Sequence, residues 1–365
     1  MKFLFVGTNP ENTGAATHFV ALALALVEAG HTVNMVAYPD GLIAQELAHS
    51  EVHLYSAVFR NAFDLCAYTK VVAVVRQLQP EWLVGNFGKE YWPLIIIGRL
   101  LGVRVALFRH RTPAMKRFSG YLIPRLAHCF FAVSNYARQA YLDAGVPAES
   151  VRVLYNPVNL ARCRPDAWQR LAILHALGVD DDAIVLGYSG RMHGGKGIFT
   201  LLEAANAAMA DEPRLCCLWV GDGPGATDLR ARAAAGPMAR RHHFLGWMHD
   251  ASPYYSAMSM LAFPSLSPET FGRVSIEAQA AGVPVLASNV GGVPETLNPG
   301  ITGVLLAPGD NDAWRSGILN MCDPSVRLPM ADAARRYVQE HFSTTVIANE
   351  FIGVLCDAAI RMPIR

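Results

Sequence analysis

The sequence predicts an α/β protein made of two doubly wound domains that face each other across a cleft. Three observations carry this. Short apolar runs of strand length alternate with longer helical patterns along nearly the whole chain. The runs are apolar on consecutive residues, as in a parallel sheet covered on both faces. The rhythm breaks once, at "VRVLYNPVNLARCRP", where two prolines interrupt it, and then resumes.

Taken in order, the first half offers the strands "KFLFVG", "HTVNMVA", "VHLYSA", "EWLVGN", "VRVALF" and "CFFAVS". Helical stretches such as "ATHFVALALALVEAG" and "CAYTKVVAVVRQLQ" lie between them. The second half offers "AIVLGYSG", "RLCCLWVGDG", "HHFLGW", "MLAFPS", "VPVLASN" and "TGVLLAPG". Each half is Rossmann-like. Residues 1–158 read as one domain, 159–342 as a second, and 343–365 as a helix that packs back on the first. Ligands of such sheets sit beyond the carboxyl ends of the strands.

Composition sets limits on function. Hydrophobic residues make up 52% and charged residues 17%, so a large core is built easily. The net charge is 31 − 30 = +1, which gives no global field to select nucleic acid. Residues 1–155 carry 14 Lys and Arg against 10 acids; the rest carries 17 against 20. None of the seven cysteines forms a Cys-x-x-Cys pair, and they read as buried, reduced thiols. "MKFLFVGTNP" reads as a first strand rather than a signal peptide. No apolar run reaches the roughly 18 residues of a membrane span. "WPLIIIGRLLGVRVALF", interrupted by Arg99 and Arg104, reads as a helix followed by a strand. A cytoplasmic location is expected.

Chemistry concentrates at two strand ends. In "GYSGRMHGGKGIFTLLEAA" a strand ends at Ser189 and Gly190, a loop carries Arg191 and Lys196 among glycines, and a helix begins. Glycines admit close backbone approach, a helix N-terminus favours anions, and two cations suit a diphosphate. The competing reading is a solvated basic turn. In "SPETFGRVSIEAQAAGVPVLAS", Glu269 lies in a loop and Glu277 lies within a helix starting near Arg273. Amides of residues 271–275 would bind hydroxyl or phosphate oxygens, and Glu277 would accept from a vicinal diol such as that of ribose. Alternatively, Glu277 is a first-turn acid favoured by the helix dipole.

"GRMHGGKG", "VGDGP" and "PETFGRVSIEAQAAGVPVLASNVGGVPE" resemble retaining glycosyltransferases of family 4, which have the GT-B fold. The resemblance covers nearly the whole chain and is densest from about 185 to 310. It implies a nucleotide-diphosphate sugar as donor substrate, UDP in preference to GDP, with no resident cofactor. It places the diphosphate on Arg191 and Lys196, close to Gly190. Glu269 would hold the donor sugar, and the backbone of Thr270, Phe271, Gly272, Arg273, Val274 and Ser275 its sugar and phosphates. Glu277 would bind the ribose, with Leu245 and Gly246 near the base. It also implies a catalytic-site histidine after a central strand of the first domain, which "VRVALFRHRT" supplies as His110. The family's glycine-rich loop after the first strand is here "NTGAATHF", with Gly14 alone, and its histidine-rich segment is here "VGNFGKEYW".

No metal is expected. Asp180 and Asp182 mimic an Asp-x-Asp motif but precede a strand, at the wrong end for the cleft. "RHRTPAMKRFSGYLIPRLAH" places Arg109, Arg111, Lys116 and Arg117 among apolar residues. That pattern suits a phosphorylated acceptor or a peripheral contact with anionic membrane; a plain basic surface is the alternative. The reading is therefore metal-independent, retaining sugar transfer to a cell-envelope glycan or glycolipid. Transfer to a small anionic acceptor, nucleotide-sugar 2-epimerisation, and sugar-nucleotide binding without activity are the alternatives.

Overall fold

The structure is a computed structural model that describes residues 1–11, 13–112 and 117–361. The chain divides into two compact units, Met1–Pro157 with Thr344–Arg365, and Val158–Ser343.

The first unit begins β1 (Lys2–Gly7), α1 (Gly14–Glu28), β2 (Thr32–Ala37), α2 (Leu42–Leu47), β3 (His53–Ser56), α3 (Leu65–Leu78) and β4 (Trp82–Gly85). It continues α4 (Tyr91–Leu101), β5 (Arg104–Arg109), α5 (Arg117–Leu126), β6 (Cys129–Ala132), α6 (Asn135–Asp143) and β7 (Arg152–Val153). Its seven strands pair in parallel in the order β3-β2-β1-β4-β5-β6-β7. Side chains alternate across β1. Phe3 and Phe5 enter a core shared with α1, while Leu4 and Val6 enter a core with α3, α4 and α6. Thr13, Asp64 and Ser134 accept from the backbone N–H of Ala16, Ala67 and Ala137, capping α1, α3 and α6.

The second unit holds α7 (Ala167–Leu177), β8 (Ile184–Ser189), α8 (Ile198–Asp211), β9 (Leu215–Val220), α9 (Ala226–Ala235), β10 (His242–Gly246) and α10 (Ser252–Tyr255). Then come β11 (Met260–Phe263), α11 (Arg273–Ala280), β12 (Val285–Ser288), β13 (Gly303–Leu306), α12 (Asn311–Cys322) and α13 (Pro324–His341). Its six strands run in the order β10-β9-β8-β11-β12-β13, again parallel. Trp219 and Trp314, both fully buried, pack in its core with Ile198 and Met260. The chain then returns to the first unit as α14 (Thr344–Arg361), whose Phe351 packs against Phe3, Phe108 and Phe131.

Both units are doubly wound, as the sequence implies. In each, the strand order reverses once, between β1 and β4 and between β8 and β11. Loops leaving the two strands at such a reversal splay apart and open a crevice at their carboxyl ends. Two expectations change. β7 was not anticipated; it is two residues long, and Arg152 and Val153 offer no apolar run. Five cysteines are buried, but Cys66 on α3 and Cys356 on α14 are exposed; all seven are free thiols.

Candidate active site

In the second unit, the reversal brings together the loops after β8 and β11. The loop after β8 carries Arg191 and ends in a short 3-10 turn, Gly194–Lys196. Lys196 Nζ pairs with Glu269 Oε1 in the loop after β11, and Ser265 Oγ donates to the same oxygen at 2.6 Å. The loop backbones are pinned as well. Leu266 N and Ser267 N donate to the Gly195 carbonyl at 3.0 and 3.2 Å. Gly197 has φ +67°, and a Cβ there would lie 1.8 Å from the Pro264 carbonyl oxygen, so only glycine allows this approach. Glu269 is fixed from its other side by Gly292 N, which donates to its carbonyl at 2.8 Å. A Cβ on Gly291 would meet that same carbonyl oxygen at 2.3 Å.

The loop after β8 is electropositive. His193 is driven below its ordinary value, first by burial and then by the charges of Lys196 and Arg191. Arg191 is exposed, and its carbonyl accepts from the Tyr188 hydroxyl at 3.0 Å. Gly190 N bonds to the Val220 carbonyl at 3.0 Å. On the neighbouring strand, the register of β10 shifts between Phe244 and Gly246, beside half-buried Leu245. Gly246 O accepts from Gly221 N at 2.7 Å, which ties the ends of β9 and β10 together.

Glu277 lies one turn into α11. It is not a first-turn acid. Its Oε1 pairs with the Arg273 guanidinium four residues earlier, and its Oε2 accepts from the Tyr255 hydroxyl at 2.9 Å. Burial, then the Glu277 charge, pushes the Tyr255 phenol well above its ordinary value, so it stays neutral and donates. Two protein hydrogen bonds therefore fix a carboxylate that accepts about four.

One expectation about the start of α11 is corrected. The Ser275 amide is not open to a ligand: it donates to the Gly272 carbonyl at 2.9 Å, closing the first turn. The Ser275 hydroxyl is buried between Gln279 Nε2 at 3.1 Å and Thr296 Oγ1 at 2.8 Å. Phe271 is buried with its ring 5.8 Å from that of Phe342. Thr270, Gly272, Arg273 and Val274 complete this loop-to-helix junction.

In the first unit, the reversal brings together the loops after β1 and β4. Asn86, just past β4, donates from Nδ2 to the Ala15 carbonyl at 2.7 Å, and its Oδ1 meets His110 Nε2 at 2.7 Å. His110 follows β5 and packs edge-on against buried His18 of α1, with ring centroids 4.7 Å apart. Gly14 opens α1 behind the Thr13 cap. Four residues past Asn86, fully buried Glu90 accepts from Thr8 N at 2.6 Å and Thr8 Oγ1 at 2.8 Å. Burial pushes its carboxyl up to about 7 against the lowering effect of those bonds. Lys89 Nζ donates to the Thr8 carbonyl at 2.9 Å. The loop after β4 thus grips the loop after β1 at both ends.

The basic segment is only partly an outer face. Arg111 is exposed, but Arg109 is half-buried, with Nε on the Arg111 carbonyl at 3.2 Å. Its charge opposes the rise that burial imposes on the Tyr91 and Tyr141 phenols. Lys116 and the side chain of Arg117 lie outside the described residues. Asp180 and Asp182 stand at the amino end of β8, away from these loops. Among the described residues, no three His, Cys, Asp or Glu side chains come together as a metal site.

The sequence reading missed Asn86, Thr8 and Glu90 in the first unit, and Tyr255, Ser265 and the Arg273 side chain in the second. Only Arg273 had a signal, its i,i+4 spacing to Glu277.

Two family models match the chain. One described as Glycosyltransferase Family 4 covers residues 12–162, and one described as Glycosyl transferases group 1 covers residues 183–323. Together they span most of its length. The chain belongs to glycosyltransferase family 4. The chain is 32% identical over 203 residues to a D-inositol 3-phosphate glycosyltransferase of Saccharomonospora viridis, covering 52% of this chain and 46% of that one. The match thus spans about half the length of that relative. A protein of the same name from Stackebrandtia nassauensis is 26% identical over 334 residues, covering 82% of this chain and 74% of the other. Anabaena Alr3699/HepE, crystallised with UDP-glucose, superposes with a TM-score of 0.83 at 22% identity, over 98% of this chain and 100% of that one. These likenesses give the chain the GT-B fold.

Proposed function

We propose that this family 4 transferase moves a sugar, with retention of configuration and without a metal, from a UDP-sugar to a cell-envelope glycan or glycolipid hydroxyl. The observation that carries this is the pinned pair of loops after β8 and β11, which sets Lys196 on Glu269 and carries Arg191 in the same loop as Lys196, with Glu277 one turn into α11. Arg191 and Lys196 hold the diphosphate. As the bond from the anomeric carbon to the β-phosphate oxygen breaks, its electron pair stays on UDP, and the two cations stabilise that charge. Glu269 faces the positive charge that develops on the sugar ring. Glu277 holds the ribose hydroxyls. The acceptor oxygen attacks from the side that UDP leaves, and its proton passes to the departing phosphate oxygen. His110 stabilises the developing charge. The sugar nucleotide is a substrate, not a cofactor. The UDP-glucose bound by Alr3699/HepE supports UDP over GDP.

The lipid-linked acceptor is supported by the outer surface of α4 and α5. Phe118 (72% exposed) and Leu100 (77% exposed) stand there with exposed Ile96, Tyr121, Arg99 and Arg125. Trp92 joins the helices, stacked on Phe118 and donating to Ser119 Oγ at 3.1 Å. Apart from the buried Glu90 before α4, no acid lies from Glu90 to Leu126. Exposed apolar side chains with only cations suit an anionic membrane surface. Among the described residues, no helix is long and apolar enough to cross a membrane. We place the transferase in the cytoplasm, peripheral to the membrane's inner face.

A second reading, transfer to a small anionic acceptor, is favoured by the relatives' name, D-inositol 3-phosphate glycosyltransferase. The deciding experiment incubates the protein with UDP- and GDP-sugars, alone, with envelope lipid extract, or with inositol phosphate, and follows products by proton NMR. The proposal expects UDP release that depends on the lipid extract and an α-linked product from an α-linked donor. Turnover with inositol phosphate alone selects the second reading. An epimerised nucleotide sugar formed without acceptor, or binding without turnover, contradicts both.

A further inference from the structure

We infer that Asn86 is a positioning residue that sets the tautomer of His110. The inference rests on the proposed part of His110 in transfer. An amide nitrogen can only donate and a backbone carbonyl can only accept. The bond from Asn86 Nδ2 to the Ala15 carbonyl, 2.7 Å long, therefore fixes which way the amide faces. Its Oδ1, which can only accept, is left on His110 Nε2 at 2.7 Å. His110 Nε2 must then carry hydrogen, and in the neutral ring the basic lone pair belongs to Nδ1.

The arrangement is built in. Asn86 is 3% exposed, so water does not compete for its amide. The His110 ring is held from two further sides, edge-on to His18 at 4.7 Å and stacked over Phe108 at 6.4 Å. Asn86 belongs to "VGNFGKEYW", the segment that departs from the family's histidine-rich pattern. An imidazole there could present either a donor or an acceptor to His110, depending on its protonation. An amide whose nitrogen is already committed presents only an acceptor. One side chain thus joins the first turn of α1, the end of β4 and the residue after β5.

The test combines a spectroscopic readout with a double-mutant cycle on the full chain. Ring-labelled histidine is observed by 15N NMR at alkaline pH, the His110 signals being assigned from the spectrum of His110→Ala. The expected result is a pyrrole-type Nε2 and a pyridine-type Nδ1; the reverse overturns the inference without any change at Asn86. For the cycle, kcat is measured for Asn86→Leu, His110→Ala and the double variant, with melting temperatures checking the fold. Misplacing a reacting group costs about 10²-fold, so Asn86→Leu should lose on that order in kcat. In the His110→Ala background it should lose almost nothing more. Equal losses in both backgrounds would mean that Asn86 acts only through Ala15 and α1, which overturns the inference while the role of His110 stands. If His110→Ala left kcat unchanged, the role of His110 would fall and this inference with it.

Discussion

Replacing Glu277 with Gln should raise the donor KM about 30-fold and leave kcat within about threefold, because the change removes a contact made alike in ground and transition states. The size follows from the geometry. Of the roughly four hydrogen bonds a carboxylate accepts, Arg273 and Tyr255 use two, which leaves room for two ribose hydroxyls. A hydrogen bond to a charged group is worth about 1 kcal/mol more than one to a neutral group. Two hydroxyls then lose about 2 kcal/mol, or about 30-fold in affinity. The bond to Arg273 is weakened by a similar amount, reduced by exposure of the pair at 22% and 17%. For a unit of 343 − 158 + 1 = 186 residues, about 1 kcal/mol lowers the melting temperature by about 2–4 °C at most. Steady-state kinetics with epimeric UDP-sugars supply the assay, with calorimetry as the control for folding. Glu269→Gln is the contrast. It should lower kcat and change preference among donors that differ at the 3- and 4-hydroxyls. A Glu277→Gln variant with altered sugar preference, beside a Glu269→Gln variant altered only in nucleotide affinity, would refute the reasoning and reverse the donor.

Arg191→Ala and Lys196→Ala should each lower kcat by about 10²–10³, the usual cost of one electrostatic donor, with the fold intact by circular dichroism; near-normal rates in both would remove the diphosphate assignment. Transfer should persist in excess EDTA, since two cations offset the diphosphate charge; loss on chelation and recovery with Mn²⁺ would reopen Asp180 and Asp182. Glu90, buried and raised from its ordinary range to about 7, holds its proton more tightly folded than unfolded, so it stabilises the fold at low pH and loses that effect as pH rises from about 4.5 through 7. That shift corresponds to about 3 kcal/mol, so the first unit's melting temperature should fall between pH 5 and 8, and Glu90→Gln should flatten the fall; identical pH profiles would exclude Glu90 as its source.

Twelve strands were legible because each is an apolar run bounded by turn residues, and the parallel sheet follows from that pattern. The pairing of the loops after β8 and β11 was legible because cations, glycines and acids stand where a strand gives way to a helix. What escaped was side-chain pairing between distant segments. Tyr255 reaches Glu277 across 22 positions and Asn86 reaches His110 across 24, and neither partner differs in sequence from an ordinary polar residue. The surroundings of Arg109 escaped for a related reason: it sits in a run of basic residues, and nothing in that run shows that it ends β5 near the buried phenols of Tyr91 and Tyr141. The Ser275 amide was misassigned because a first turn that closes on Gly272 leaves no mark in the residue types.

The central claim, that the loops after β8 and β11 hold a sugar nucleotide in one orientation, is tested most directly by a crystal structure of the protein with an unreactive UDP-sugar analogue. The account predicts diphosphate oxygens within hydrogen-bonding distance of Arg191 and Lys196, ribose hydroxyls on Glu277, and the sugar beside Glu269. A diphosphate bound away from both cations, or a ribose seated on Glu269, would contradict it.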